Sequence, residues 1–158
     1  MSELFADIVL QRIGQAVELY NRLVLLVAPP GAGKTVALQE VHRLTSAPLV
    51  NVNLDLARRM LDLTERQRIL QLPRLLSEIV GTSEAELILL DNIEVLFDIA
   101  LKHDPLRLLQ GLSRNKTLVV AWSGFIDGEH MVYAMPDHLE YKRYPLRDFL
   151  VVNPEGIA

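Results

Sequence analysis

The chain has 158 residues, 50% hydrophobic and 23% charged, a composition that builds a folded globular core and sets the expectation of one domain, 1–158. Its net charge of −4 gives no overall field for nucleic acid, and having no cysteine excludes disulfides, thiol catalysis and cysteine-based metal sites. Glu3, Asp7 and Arg12 exclude a secretory leader at the start and no apolar run approaches a membrane span, so a soluble, cytoplasmic protein with no membrane partner is expected.

In residues 2–21, Phe5, Val9, Ile13, Ala16 and Tyr20 recur at helical spacing, flanked by Leu4, Ile8 and Val17. They predict an amphipathic helix packed on the core. The uncharged run 23–27 predicts the first strand. Ala28-Pro29-Pro30-Gly31-Ala32-Gly33-Lys34-Thr35 follows, and residues 36–44 read as a helix. Strand, Gly-rich loop, Lys-Thr and helix in that order are what a phosphate-binding loop needs. Glycine dihedrals let backbone N–H groups turn inward around a polyphosphate, and the helix start adds unpaired N–H groups and a favourable dipole. The candidate nucleotide-binding residues are Pro30, Gly31, Ala32, Gly33, Lys34, Thr35 and Val36. Lys34 would reach the β- and γ-phosphates and the Thr35 hydroxyl would ligate Mg²⁺. The pattern G-x-x-x-x-G-K-[ST] is met except at its first position, where Ala28 replaces glycine. A Pro/Gly turn that merely precedes a helix is the alternative.

Residues 49–53 predict a second strand, and Asp55 a cap for a helix to about Leu63. Thr64 and Gln67 form a capping box for another helix, which Pro73 should break or kink before Gly81 ends it. Arg58, Arg59, Arg66, Arg68 and Arg74 gather positive charge here, interspersed with Asp62, Glu65 and Glu78. They read as a solvated helical surface, or as a DNA-backbone contact through Arg58, Arg59, Arg66 and Arg68.

Residues 87–90 are apolar on both faces, as a central parallel strand requires, and lead into Asp91. Paired with the loop, Asp91 is a candidate Mg²⁺ ligand; alone it would read as a helix cap. Asn92 has no proton affinity to act as a base but can hold a water. Glu94 would share a side with Asn92 on extended chain and so position the water, or else be a solvated first-turn residue. Residues 93–101 predict a helix, and Asp104-Pro105 a cap with a first-turn proline for a helix to Arg114. Residues 117–122 predict a fourth strand ending in Ser123-Gly124, with Ser123 a candidate contact to the γ-phosphate or the attacking water and Trp122 in the core. Residues 130–134 suit a short strand, 136–144 an irregular segment or short helix, and 149–152 a last strand. His42, His103, His130 and His138 have no metal spacing and read as structural or surface residues. Alternating strands and helices predict a parallel α/β sheet with ligands at the C-terminal ends of its strands.

Residues 28–35, 87–94 and 117–123 together resemble the core of AAA+ P-loop ATPases. The resemblance implies a three-layer α/β/α fold, a mainly parallel five-stranded sheet of order 5-1-4-3-2, ATP and Mg²⁺ as cofactors, and a homo-oligomer. It also implies an arginine acting on the neighbouring subunit's nucleotide, for which Arg114 is better placed than Arg107. Two departures stand out: Asn92 sits where the family has a glutamate, and the chain is short for a complete C-terminal lid domain. The small size, with residues 108–114, 121–124 and 138–144, also resembles the BrxF family, the compact P-loop proteins of type 3 bacteriophage exclusion (BREX) systems. That implies a role in phage defence beside larger defence-system proteins, with ATP and DNA. The expected activity is ATP binding and hydrolysis in an oligomeric assembly. Two other functions fit the same residues: a small-molecule P-loop kinase, with Asp55, Arg58 and Arg59 binding the acceptor, and a nucleotide-gated adaptor without turnover, motivated by Asn92.

Overall fold

The structure is a computed structural model that describes residues 2–134 and 140–153. Its centre is a parallel sheet built from β1 (Leu23–Ala28), β2 (Leu49–Asn51), β3 (Leu87–Asp91), β4 (Thr117–Asp127) and β7 (Leu150–Val152). The strand order is β2-β3-β4-β1-β7. Counting β7 as the fifth strand, this is the expected 5-1-4-3-2 order. All six residues of β1 and the first six of β4 are buried, because helices cover both faces. On one face α1 (Ser2–Ala16) and α2 (Lys34–Thr45) pack Phe5, Val9, Leu38 and Val41 against Val24, Leu26 and Val119. On the other, α3 (Val52–Met60), α4 (Glu65–Gly81) and α5 (Pro105–Leu112) pack against Leu25, Leu90 and Val120. The result is a three-layer α/β/α fold. Among the described residues no helical lid follows β7, and no helix is long and apolar enough to cross a membrane.

β4 departs from the expectation most. It does not end at Ser123-Gly124 but runs through both to Asp127. Its first part pairs in parallel with β1, Ala28 opposite Ser123, and its last four residues pair antiparallel with β5 (His130–Tyr133). β5 in turn pairs with β6 (Lys142–Pro145). Gly124 permits the change of partner: a Cβ there would lie 1.8 Å from the Val132 carbonyl oxygen. Residues 142–144, expected to be irregular or helical, are therefore strand; residues 136–139, including His138, lie outside the described residues.

Smaller corrections have local causes. α1 stops at Ala16 rather than residue 21, since the chain turns to enter β1 with Arg22 N bonded to Ser113 O, and Tyr20 is left 75% exposed. β2 ends at Asn51, whose side chain accepts from Leu54 N and so caps α3 in place of Asp55. The Thr64–Gln67 capping box forms as expected, but α4 continues through Pro73. Proline removes the N–H that would bond the Ile69 carbonyl, and His103 Nε2 donates to that carbonyl at 2.6 Å instead. Residues 93–101 form two 3₁₀ turns, Glu94–Phe97 and Ile99–Leu101, broken at the extended Asp98. α5 starts at Pro105 with Asp104 as its cap, as expected, and ends at Leu112, short of Arg114.

Candidate functional site

A cleft of about 370 Å³ opens where β1 and β3 end and α2 begins, beside Ser123 of β4. Its walls include Pro30, Gly31, Gly33, Lys34, Thr35 and Val36 on one side, and Asp91, Asn92, Glu94 and Ser123 on the other. Each strand delivers one part. β1 ends in the loop, where Gly31 (φ 82°) and Gly33 (φ 94°) take left-handed conformations that side chains disfavour. Gly33 then starts α2 without a side-chain cap, so the first N–H groups of that helix remain available at the cleft. β3 carries Asp91 to the sheet edge, and β4 brings Ser123 to the same cleft.

The two sequence motifs meet directly. Thr35 Oγ1 donates to Asp91 Oδ2 at 2.7 Å, while the other carboxylate oxygen accepts from Asn92 N at 2.9 Å. Lys34 is 8% exposed and folds back, its Nζ donating to the carbonyls of Ala28 (2.8 Å) and Pro29 (2.9 Å). Burial pushes the Lys34 ammonium down from its ordinary range, and the negative charges of Glu94 and Asp91 oppose that shift. Ala32, although in the loop, is not part of the cleft wall; its N–H is bonded to Pro29 O at 3.2 Å.

Glu94 and Asn92 both reach the cleft, but not by the extended chain the alternation argument assumed. Asn92 is left-handed (φ 54°) and Glu94 opens a 3₁₀ turn. Sequence reasoning missed the residue that fixes this turn. Asn53 donates its N–H to Asn92 O at 2.8 Å, and its Oδ1 accepts from Val95 N at 2.9 Å. The available signal was an asparagine at a strand–helix junction, where its side chain competes for backbone N–H groups.

Arg114 is not brought to this cleft. It precedes β4, roughly 20 Å of strand away from Ser123 at the opposite edge of the sheet. Its guanidinium lies over the Tyr20 ring at 5.2 Å and its carbonyl accepts from Arg22. In the arginine cluster, Arg59 pairs with Asp55 and Glu78, Arg74 with Glu78, and Arg68 bonds the Leu63 carbonyl; Arg58 and Arg66 are exposed.

The donor set suits a small hard cation in one specific way. Among the described residues no group of three or more His, Cys, Asp and Glu gathers to hold a metal. Thr35 and Asp91 supply two oxygens, which fits Mg²⁺ completed by phosphate oxygens and water, not a site made by protein alone.

No curated protein matches the chain. Among solved structures, that of C. elegans PCH-2 matches at 17% identity and a TM-score of 0.44, over 96% of this chain and 40% of that one. The chain thus spans less than half the length of that structure. The model of the ATPase family associated with various cellular activities (AAA) matches residues 24–124, from the first residues of β1 to the junction at Gly124, and so takes in every wall of the cleft. The chain belongs to the AAA family of ATPases.

Proposed function

We propose that the cleft binds ATP with Mg²⁺ and that the chain hydrolyses it by attack of water on the γ-phosphate. One observation carries this reading: the 2.7 Å contact between Thr35 and Asp91, which joins the phosphate loop and the β3 carboxylate at one point beside Lys34. Backbone N–H groups of Gly31, Gly33, Lys34, Thr35 and Val36 hold phosphate oxygens, with Pro30 at the rim. Lys34 exchanges its two carbonyl partners for phosphate oxygens, a stronger charge-assisted contact. Thr35 and Asp91 hold Mg²⁺, which when bound neutralises charge on the phosphates. Glu94 accepts the proton of the attacking water, and Asn92 and Ser123 hydrogen-bond that water or the γ-phosphate. Arg114, at the far sheet edge, acts in this reading only on the site of a neighbouring copy in a homo-oligomer. Assembly with larger phage-defence proteins, as the BrxF resemblance implies, extends the proposal. A DNA contact then falls to Arg58 and Arg66, since Arg59 and Arg68 have partners within the chain.

Asn92 favours a second reading, in which ATP is bound without turnover and switches an adaptor. Calorimetric titration with ATP·Mg²⁺, with phosphate release read on the same samples, tests both. Uptake that is lost in Lys34→Ala supports the site. No uptake by the wild-type chain refutes it, and uptake without release at every protein concentration selects the adaptor.

A further inference from the structure

The turn that carries Glu94 is anchored at both ends, by different parts of the chain. At its start, Asn53 donates to Asn92 O and accepts from Val95 N. At its end, Phe97 is 2% exposed, and its ring is stacked on Tyr133 with centroids 3.5 Å apart and planes at 9°. Trp122 meets the same Phe97 ring edge-on at 5.0 Å. Glu94 and Phe97 open and close one 3₁₀ turn. Such a turn has three residues per revolution, so their side chains leave on the same side, about 6 Å apart along the axis. What fixes the Phe97 ring therefore fixes the direction in which Glu94 leaves the turn.

Tyr133 comes from outside the parallel sheet. β5 pairs it with Gly124, the residue after Ser123 of the cleft. It is buried, and it lines the same cavity beside the cleft as Glu94. Burial, then the charges of Glu94 and Glu140, push its hydroxyl up to about 12, so the ring stays neutral at ordinary pH and lies within the field of the Glu94 carboxylate. Its strand is pinned one residue earlier, where Trp122 Nε1 donates to Val132 O at 3.2 Å. A reacting group works at full rate only when neighbours hold it to within about 0.5 Å. A pair of stacked rings on a pinned strand is a stiff support of that kind.

We propose that Tyr133 is a positioning residue for Glu94: its stack on Phe97 holds the turn 94–97 so that the carboxylate meets the attacking water in the cleft. The inference rests on the reading of Glu94 as the acceptor of that water's proton, and it gives the β4–β5 extension a part in turnover.

Two readouts test it on the full chain, and one needs no turnover. Tyr133→Leu keeps an apolar residue and loses the stack, Phe97→Leu loses it from the other side, and Tyr133→Phe keeps it. Without nucleotide, amide hydrogen exchange at Val95 and Leu96 should quicken about tenfold in either leucine variant and stay at the wild-type rate in Tyr133→Phe. At saturating ATP·Mg²⁺, both leucine variants should release phosphate about tenfold more slowly with unchanged affinity for the nucleotide, and Tyr133→Phe should keep the wild-type rate. In a Glu94→Gln background, Tyr133→Leu should cost less than about twofold, because a residue that acts through Glu94 has nothing left to position. Unchanged exchange or unchanged release in both leucine variants, slowed release in Tyr133→Phe, or an undiminished loss in the Glu94→Gln background would each overturn the proposal. Wild-type release in Glu94→Gln would instead refute the reading of Glu94 itself, and the exchange rates alone then decide whether Tyr133 holds the turn.

Discussion

Replacing Gly124 by alanine tests whether the β4 extension is a built feature. The added Cβ would lie 1.8 Å from Val132 O, 2.9 Å from Val132 C and 3.1 Å from Trp122 Nε1. Backbone atoms cannot yield as a side-chain tip can, so β5 must retreat by more than an ångström. That retreat stretches the 3.2 Å bond from Trp122 Nε1 to Val132 O and loosens the Phe97–Tyr133 stack. Overpacking of this kind costs about 1–3 kcal/mol and a buried donor left unpaired about 1–3 more, so roughly 2–6 kcal/mol is expected. At about 2 kcal/mol per molar of urea, the unfolding midpoint should fall by about 1–3 M. Urea unfolding followed by circular dichroism and by Trp122 emission reads it, and the native emission should shift to the red. Two other glycines act as controls. Gly111, inside α5, has open space and should gain up to about 1 kcal/mol as alanine. Gly128 has open space but φ +62°, so it should lose about 1 kcal/mol. A Gly124→Ala protein within about 0.5 kcal/mol of wild type would refute the close approach of β5 at this glycine.

Three further outcomes are expected. Glu94→Gln should retain ATP·Mg²⁺ binding and lower phosphate release by about 10²-fold, read by steady-state assay; unchanged release would remove Glu94 from the reaction. His103→Phe should destabilise by about 1–2 kcal/mol because it orphans the Ile69 carbonyl, and in a Pro73→Ala background, where the N–H is restored, most of that cost should vanish; a double-mutant cycle of denaturation midpoints measures the coupling. The Tyr133 hydroxyl has its folded value raised to about 12 from 10.0, so its stabilising contribution is complete below pH 10 and is lost as pH rises towards 12. Tyr133→Phe should therefore flatten the fall in stability between pH 10 and 12, with the slope left by Tyr144, whose hydroxyl is also raised by burial and by Asp104.

What sequence made legible was whatever depends on a short pattern. The loop 28–35, the apolar run before Asp91 and the Thr64–Gln67 box each specify a backbone requirement within a few residues, and each forms where expected. The misses required partners far along the chain. Pro73 was expected to break or kink its helix; α4 runs through it, and a histidine 30 residues later bonds the carbonyl that the proline leaves without its N–H. The strand 117–127 looked finished at Ser123-Gly124 because a serine and a glycine read as a turn. That glycine instead admits Val132, a contact no local window contains. Asn53 looked like a strand residue because Val50 and Val52 precede it, yet both its hydrogen bonds go to the turn after β3.

Three polar side chains of the cleft, Thr35, Asp91 and Lys34, already have partners within the protein, and this bears on how a ligand is taken up. Asp91 has an oxygen on Thr35 and another on Asn92 N, and Lys34 holds two carbonyls. A cation held by Thr35 and Asp91 must displace the hydroxyl proton from the carboxylate, and phosphate must draw Lys34 off Ala28 and Pro29. Affinity is then the strength of the new bonds to nucleotide and metal less that of the internal bonds they replace. Thr35→Val removes one exchange without touching the other. It should weaken ATP binding far more in the presence of Mg²⁺ than in EDTA, measured by paired titrations. Equal weakening in both would mean that Thr35 serves the phosphates and not the metal, and that its bond to Asp91 is only structural.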